Sequence, residues 1–422
     1  MGQRPRALAP HASPRQFFGA ELRWWREHRG LSQTALGALV HSSGATVGKV
    51  EKAARRPTAD FAGRADAALR TGGVLARLMA LVGAEPRPDA DTFGGPVDGS
   101  DDVAAPDVDR RALLRVVAAA PMAALGGAPS GVRPESLGAL TARVGGIHHL
   151  YQQGRYRVAL RHLPAVLEDL AHRDGAEALL AEAYQVASGL LLKTDDAQLA
   201  AVAADRGMAA ARQCADPVVV AANARAVVHT LFAGGYHENA VAVAVDAADR
   251  LTRDTGTHDE ATHSLRGALL LRAAIACAHR GDRHRAGDLL DEASGAARAV
   301  GRDGNARWTA FGPTNVRAHR VAVAVEIGDA GLAVEEAAGI DLSALPLPER
   351  RAALLVDTAR AYVHWGRWER AFDAVRGAER HAPDEVRARR STHRLIRRLG
   401  RGCPASMRPR AHEYARAVGV VR

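Results

Sequence analysis

The side chains best placed to do chemistry in this 422-residue chain lie in one short stretch, SSGATVGKVEKAARRP, residues 42–57. Gly44 to Lys49 has the glycines and the lysine of a loop that cradles phosphate. Such a loop needs G-x-x-x-x-G-K-[ST] entered from a buried strand. Here three residues separate Gly44 from Gly48, and Val50 stands where a magnesium-binding hydroxyl belongs. The preceding LSQTALGALV has helical spacing, with Leu31, Ala35, Leu36, Leu39 and Val40 on one side. No strand leads in, and the nucleotide-hydrolase reading fails. The alternative is a helix capped by Ser43 that lays its exposed side chains in a DNA groove.

Other chemistries find less support. Cys214, Cys277 and Cys403 are far apart and form no CxxC, so neither a disulfide framework nor a zinc module is expected. His148–His149 point to different faces of a helix, and His258/His263 and His279/His284 are spaced i, i+5 rather than the chelating i, i+4. No metal or other cofactor is expected. No Ser/His/Asp set, paired carboxylate motif or glycine-rich nucleotide loop stands out, and the chain reads as a non-enzyme.

The elements that position residues 42–57 are helices. FFGAELRWWREHRG, residues 17–30, is an amphipathic helix ending at Gly30, a natural C-cap. Ser32 caps a second helix, Ser32–Val40, and HSS makes a tight turn to Ser43, the N-cap of the third. Val47, Val50 and Ala54 face inward along the third helix, which should stop at Pro57. Gly37 supplies the small residue that two crossing helices need. Gly44, Ala45, Thr46, Gly48 and Lys49 are left exposed, with basic Lys52, Arg55 and Arg56 behind them.

Composition supports an all-α chain of more than one domain. Apolar residues make up 47%, aromatics only 4%, and alternating β-branched runs are missing. A formal charge of +10 fits an acidic partner such as nucleic acid. Only three of the 57 basic residues are lysine, which points to a GC-rich genome and makes the placement of arginine more telling than its number. The N-terminus lacks an apolar signal core. RRALLRVVAAAPMAALGGA, residues 110–128, imitates a twin-arginine signal, but it lies deep in the chain, is broken by Arg115 and Pro121, and reads as an amphipathic connector helix. No membrane segment and a cytoplasmic location are expected.

The chain divides as follows: a tail at 1–14, a compact basic unit at 15–83, an acidic flexible linker at 84–109, the connector at 110–136, helix–turn–helix units over 137–400, and a basic segment at 401–422. The linker reading rests on eight acidic residues between Glu85 and Asp109, mixed with proline and glycine. In the long helical region a turn signature G-x-x-x-x-A recurs at 154–159, 281–286, 328–333 and 366–371, with GYHENA (235–240) and the weaker DDAQLA (195–200) in the same frame. Their closing alanines are 38 to 47 residues apart. The last unit, AYVHWGRWERAFDAVRGAERHAPDE, resembles the tetratricopeptide repeat at most of its signature positions, which implies an α-solenoid with a concave inner surface. Tyr151, Tyr156, Trp308, Phe311, Tyr362, Trp365 and Trp368 belong either to that groove or to the repeat cores. Nine arginines without an acid at 387–410 make a solvated terminal helix or a second phosphate-contacting surface.

The basic unit resembles the helix-turn-helix of phage-repressor-type regulators, the XRE (Cro-type) family. The matching text is RGLSQxxLG (29–37), SxxxVxKVE (43–51) and ARRP (54–57). The resemblance implies a five-helix DNA-binding domain. In it Gln33 touches a phosphate and braces the third helix, Ser43 also touches phosphate, positions 44, 45 and 49 read base edges, and Arg55 and Arg56 hold the backbone. It also implies a buried, structural pair between Arg26 and Glu51. This chain departs from the family at Gly44, where a glutamine able to read adenine is frequent. His41 stands where glycine is usual, and Ser42 where an apolar residue is. Readout then falls to Lys49, Thr46 and Ala45. The whole resembles actinobacterial one-component regulators: a dimer on a palindromic operator in double-stranded DNA, modulated by a peptide, small molecule or protein in the solenoid groove. The competing reading is a tetratricopeptide-like interaction scaffold whose helix-turn-helix has degenerated.

Overall fold

A computed structural model describes residues 14–71, 74–83, 135–171, 173–256 and 259–420. The tail up to residue 13, the acidic linker and nearly all of the connector therefore lie outside the described residues, and Pro14 begins the first helix. Within them the protein is all-α, with no strand. The chain forms two compact units, divided at Val132.

In the first unit α1 is Pro14–His28, α2 Gln33–Leu39, α3 Gly44–Glu51, α4 Ala59–Leu69 and α5 Val74–Gly83. α1 ends in a Schellman turn. Gly30 takes φ 66°, its N–H donates to Glu27, and the Leu31 N–H donates to Arg26. α1 packs on α3 and α5, and α2 packs on α3 and α4. The core is Phe17, Phe18, Leu22, Leu36, Val47, Val50, Phe61, Leu69 and Leu75, each at most 5% exposed. Each such large side chain contributes about 1.5–3 kcal/mol through burial.

Crossings this tight require glycine. A Cβ on Gly37 would lie 2.8 Å from the backbone nitrogen of Gly44, and one on Gly19 2.5 Å from the Glu51 carbonyl oxygen. Leu39, expected inward, is 53% exposed, because the buried side of α2 is set by Leu36, Gly37 and Val40. The third helix also stops earlier than Pro57. Ala53 turns left-handed, φ 57°, and the Ala54 N–H closes back onto the Lys49 carbonyl, which leaves Ala54 exposed.

Among the described residues the second unit is built of six helix pairs. The first helices of the pairs are α6 Leu137–Gln152, α8 Glu177–Lys193, α10 Pro217–Ala233, α12 Glu260–His279, α14 Pro313–Glu326 and α16 Pro348–His364. Their partners are α7 Tyr156–Ala171, α9 Ala197–Cys214, α11 His237–Thr255, α13 Arg283–Val300, α15 Ala330–Ala338 and α17 Trp368–His381. Short α18 Pro383–Arg387, α19 Arg390–Gly402 and α20 Arg408–Ala417 follow. The turn signature sits between the helices of each pair. Gly154, Gly235, Gly281, Gly328 and Gly366 all have φ between 68° and 82°, and Asp195 takes the same role at 62°. The closing alanines 159, 200, 240, 286, 333 and 371 are all fully buried. Without a larger Cβ substituent, the two helices of a pair can approach closely there. The segment set apart at 401–422 shares the last core: Cys403, Met407, Ala411 and Val418 pack with Val363, Phe372 and Val375.

An open solenoid touches only its neighbours. This one closes. α6, α8, α10, α12, α14 and α16 contact in succession, and α16 returns to α6. The Tyr156 hydroxyl donates to Glu385 at 2.7 Å across 229 residues of sequence, and Ala382 seats against Gly154. Lys193 pairs with both Glu349 and Glu385, Arg350 with Glu349, and Arg389 with Glu385 at 2.8 Å. Although burial alone would raise it, the Glu349 carboxyl is held far below the usual range by Arg350 and Lys193. Glu385 is lowered by Arg389 and Lys193 against the same burial.

The aromatic residues divide accordingly. Tyr156 and Phe311 are core, Tyr151 and Trp308 face the interior, and Trp365 is half exposed.

Candidate nucleic-acid interface

α2, the turn at Val40–Ser43 and α3 form a helix-turn-helix whose capping is local. Ser32 Oγ accepts the Ala35 N–H at 3.0 Å, and Ser43 Oγ accepts the Thr46 N–H at 3.1 Å. His41 adopts φ 50° at the position where glycine would be unstrained. α3 is fixed from behind by a buried network. Arg26 Nε donates to Glu51 Oε1 at 2.5 Å and Nη2 to Oε2 at 3.1 Å, while Nη1 reaches the Leu31 carbonyl at 2.8 Å. Gln33 Nε2 donates to the second Glu51 oxygen at 2.7 Å. Glu51 is 1% exposed and Arg26 7%. Hydrogen bonding to Glu51 raises the arginine's pKa further despite burial.

This bracing explains Gly48. A Cβ there would lie 2.8 Å from Gln33 Oε1, so Gly48 is the seat of the glutamine and is buried, not exposed. Gly44 also differs from expectation. It is half-buried, and a Cβ would come within 2.9 Å of Thr34 Cα, so α3 begins pressed against α2. A larger residue at position 44 needs a displaced α2.

The outward surface of α3 consists of Ala45 and Lys49, both exposed, with half-buried Thr46 beside them. Thr46 Oγ1 lies 3.0 Å from Ser43 Oγ. Lys52 and Arg55 extend the surface beyond the helix. Among the described residues none of Lys49, Lys52 and Arg55 meets a carboxylate. Arg56 does not join them. Its guanidinium is half-buried and donates to the Val82 carbonyl at the end of α5, so it closes the domain. Arg29 and Arg64 act in the same way, on the carbonyls of Leu69 at 2.9 Å and Val40 at 2.9 Å. Asp66 caps α5 by accepting the Leu75 and Ala76 N–H groups. Such long-range arginine–carbonyl pairs leave no spacing signal in sequence. Asp66 leaves none either, because it lies within α4, eight residues before α5 begins.

Residues 18–79 match a family model described as a helix-turn-helix domain. The N-terminal unit carries a helix-turn-helix domain. No curated protein matches the chain. Among solved structures it is similar to Bacillus thuringiensis PlcR in complex with the peptide PapR7 and DNA, at 12% identity and a TM-score of 0.35, over 85% of this chain and 98% of that one.

Among the described residues no helix is long and apolar enough to cross a membrane, and no group of three His, Cys, Asp or Glu side chains is placed to hold a metal ion.

Proposed function

We propose that the chain is a sequence-specific DNA-binding transcriptional regulator acting in the cytoplasm. α3 enters the major groove: Lys49, Thr46 and Ala45 meet base edges, while Ser43, Gln33 and Arg55 hold phosphates. The observation that carries this is the pairing of a rigid rear with a free front. Arg26, Gln33 and Glu51 lock α3 in place, whereas Lys49, Lys52 and Arg55 point outward without carboxylate partners among the described residues. Gly44 offers no side chain to a base, so specificity rests on few contacts and on DNA shape. A dimer would place two such helices about 34 Å apart on a palindromic operator. An effector bound within the helical repeats would shift affinity only by distinguishing the two arrangements of the dimer.

One observation favours the scaffold reading instead: Gly44 and Arg56, two of the eight residues assigned to DNA, are absorbed by internal packing. A salt-titrated binding measurement on the chain's own upstream DNA separates the two. The regulator gives a tight complex with a steep salt dependence, and Lys49→Ala loses discrimination between that DNA and a scrambled duplex. Equal, weak binding of both duplexes by both proteins would refute the regulator.

A further inference from the structure

The interior of the closed repeat unit holds a chamber of about 440 Å³, within the range of small-molecule sites. It continues into a narrow recess of about 40 Å³, since Tyr151, His229, Arg272, Asn315, His319 and Arg350 line both. Arg225 also faces the recess. The strap between α13 and α14 borders it through Trp308, Thr309 and Ala310. That strap is fixed to the far side of the ring. Trp308 stacks on His148 at 4.5 Å and donates to Glu182 at 2.8 Å, and Asn305 and Gln152 exchange amide hydrogen bonds at 2.9 and 3.0 Å. Arg307, Trp308 and Ala310 all take left-handed φ, 50–59°, an arrangement that costs stability and is held in place by these contacts.

The charges of the recess do not balance. Its one carboxylate, Glu349, is already occupied by Lys193 and Arg350. Among the described residues Arg225 and Arg272 have no ion pair, and Arg225 Nε has no hydrogen-bond partner. The same is true of His229 Nε2 and of the side-chain oxygen of Asn315, a residue only 2% exposed. Burial lowers the pKa of Arg272 to about 10, and Arg350 and Arg225 add to the effect. His319 is lowered to about 3 by burial and then by Arg272, so its ring is neutral near pH 7. Uncompensated charge and unmet hydrogen bonds are costly in an interior, and two guanidiniums facing one recess match a carboxylate or phosphate. The larger chamber adds apolar walls, among them Val228, Phe232, Ile275 and Ala322, and a separate charged side where Arg389 and Arg394 stand with Asp195, Glu326 and Asp357, the last two carboxylates being held by Arg360.

We propose that the chamber binds a small amphiphilic anion whose carboxylate or phosphate head is held by Arg225 and Arg272 and whose apolar body lies over Phe232 and Ile275. The identification of this anion as the effector rests on the regulatory reading above; its binding does not.

Titration calorimetry of the full chain with octanoate and octyl phosphate tests it, with octanamide and inorganic phosphate as controls. Saturable binding of one or both amphiphilic anions is expected, and the preferred head distinguishes carboxylate from phosphate. Octanamide should not bind, and inorganic phosphate should bind more weakly than octyl phosphate. Arg272→Gln and Arg225→Gln should each weaken binding at least about tenfold. Each variant should also melt at or above the wild-type temperature without ligand, because it removes an uncompensated charge, whereas an arginine with a purely structural role would lower the melting temperature. Failure of both anions to bind, equal binding of octanamide, or undiminished binding by both variants would overturn the proposal. Repeating the titration in the DNA-binding measurement keeps the two readings apart. Anion binding that leaves DNA affinity unchanged supports the site and counts against its role as effector.

Discussion

Replacing Arg26 with methionine leaves the Glu51 carboxylate buried at 1% exposure with Gln33 as its remaining side-chain donor. Two charged hydrogen bonds to Glu51 and a third to the Leu31 carbonyl disappear. Breaking a buried pair from one side costs about 3–5 kcal/mol. The surviving Gln33 bond, which retains part of the solvation of Glu51, places this case near the lower end, at about 3 kcal/mol. That is roughly a hundredfold in the ratio of folded to unfolded domain. Glu51→Gln should cost less, about 2 kcal/mol, because Arg26 keeps the Leu31 carbonyl and its contact with Glu27 at 3.1 Å. In the double variant Arg26→Met/Glu51→Met no buried charge is stranded, so its cost should fall well short of the two single methionine substitutions added together. Urea unfolding of all four variants and the wild type, followed by hydrogen exchange of the α3 amides, measures the cycle. Additive costs, or single-substitution costs below about 1 kcal/mol, would show that this network does not hold α3.

Two further outcomes follow from local geometry and from burial. Ala53→Gly should stabilise the N-terminal unit by about 1 kcal/mol, because a left-handed turn at φ 57° penalises a Cβ; thermal melting checks it, and a lowered melting temperature would contradict it. His148 and His319 are 4% and 7% exposed, and burial, with Arg225 and Arg272 respectively the next cause, lowers both to a pKa of about 3. The unfolded chain therefore takes up the protons. Stability should be complete above about pH 6.5 and fall towards pH 5 by about 1.4 kcal/mol per pH unit for each ring. Urea midpoints across that range should flatten in His148→Gln and His319→Gln; equal slopes in the variants and the wild type would refute the assignment.

Much of this protein was legible in its sequence where the cause is local. Ser32 and Ser43 cap helices because a hydroxyl two or three residues from a free N–H needs nothing else. The glycine of five repeat turns, and Asp195 in the sixth, takes a left-handed φ, and the alanine five residues later is buried, because the geometry of one helix pair dictates both. The repressor-like text likewise marked Arg26 and Glu51, which the fold brings together. What sequence reading missed depends on distant partners. Gly48, expected on the exposed face of α3, is covered by the Gln33 side chain, and Arg56, expected on the DNA backbone, is drawn instead to the Val82 carbonyl that α5 brings to it.

The closure of the repeats was invisible for the same reason. Small rotations between successive pairs add up, and their sum decides whether α16 meets α6. No single turn records that sum, so an open groove and a closed ring share one sequence signature. The arginines that line the interior are likewise spaced along the chain as ordinary helix residues. Sequence alone determined the helix-turn-helix, the serine caps of α2 and α3 and the turns within the repeats, since these are set within a few residues. Tertiary structure alone decided which charges were left without a partner, because that depends on what the other elements bring within reach.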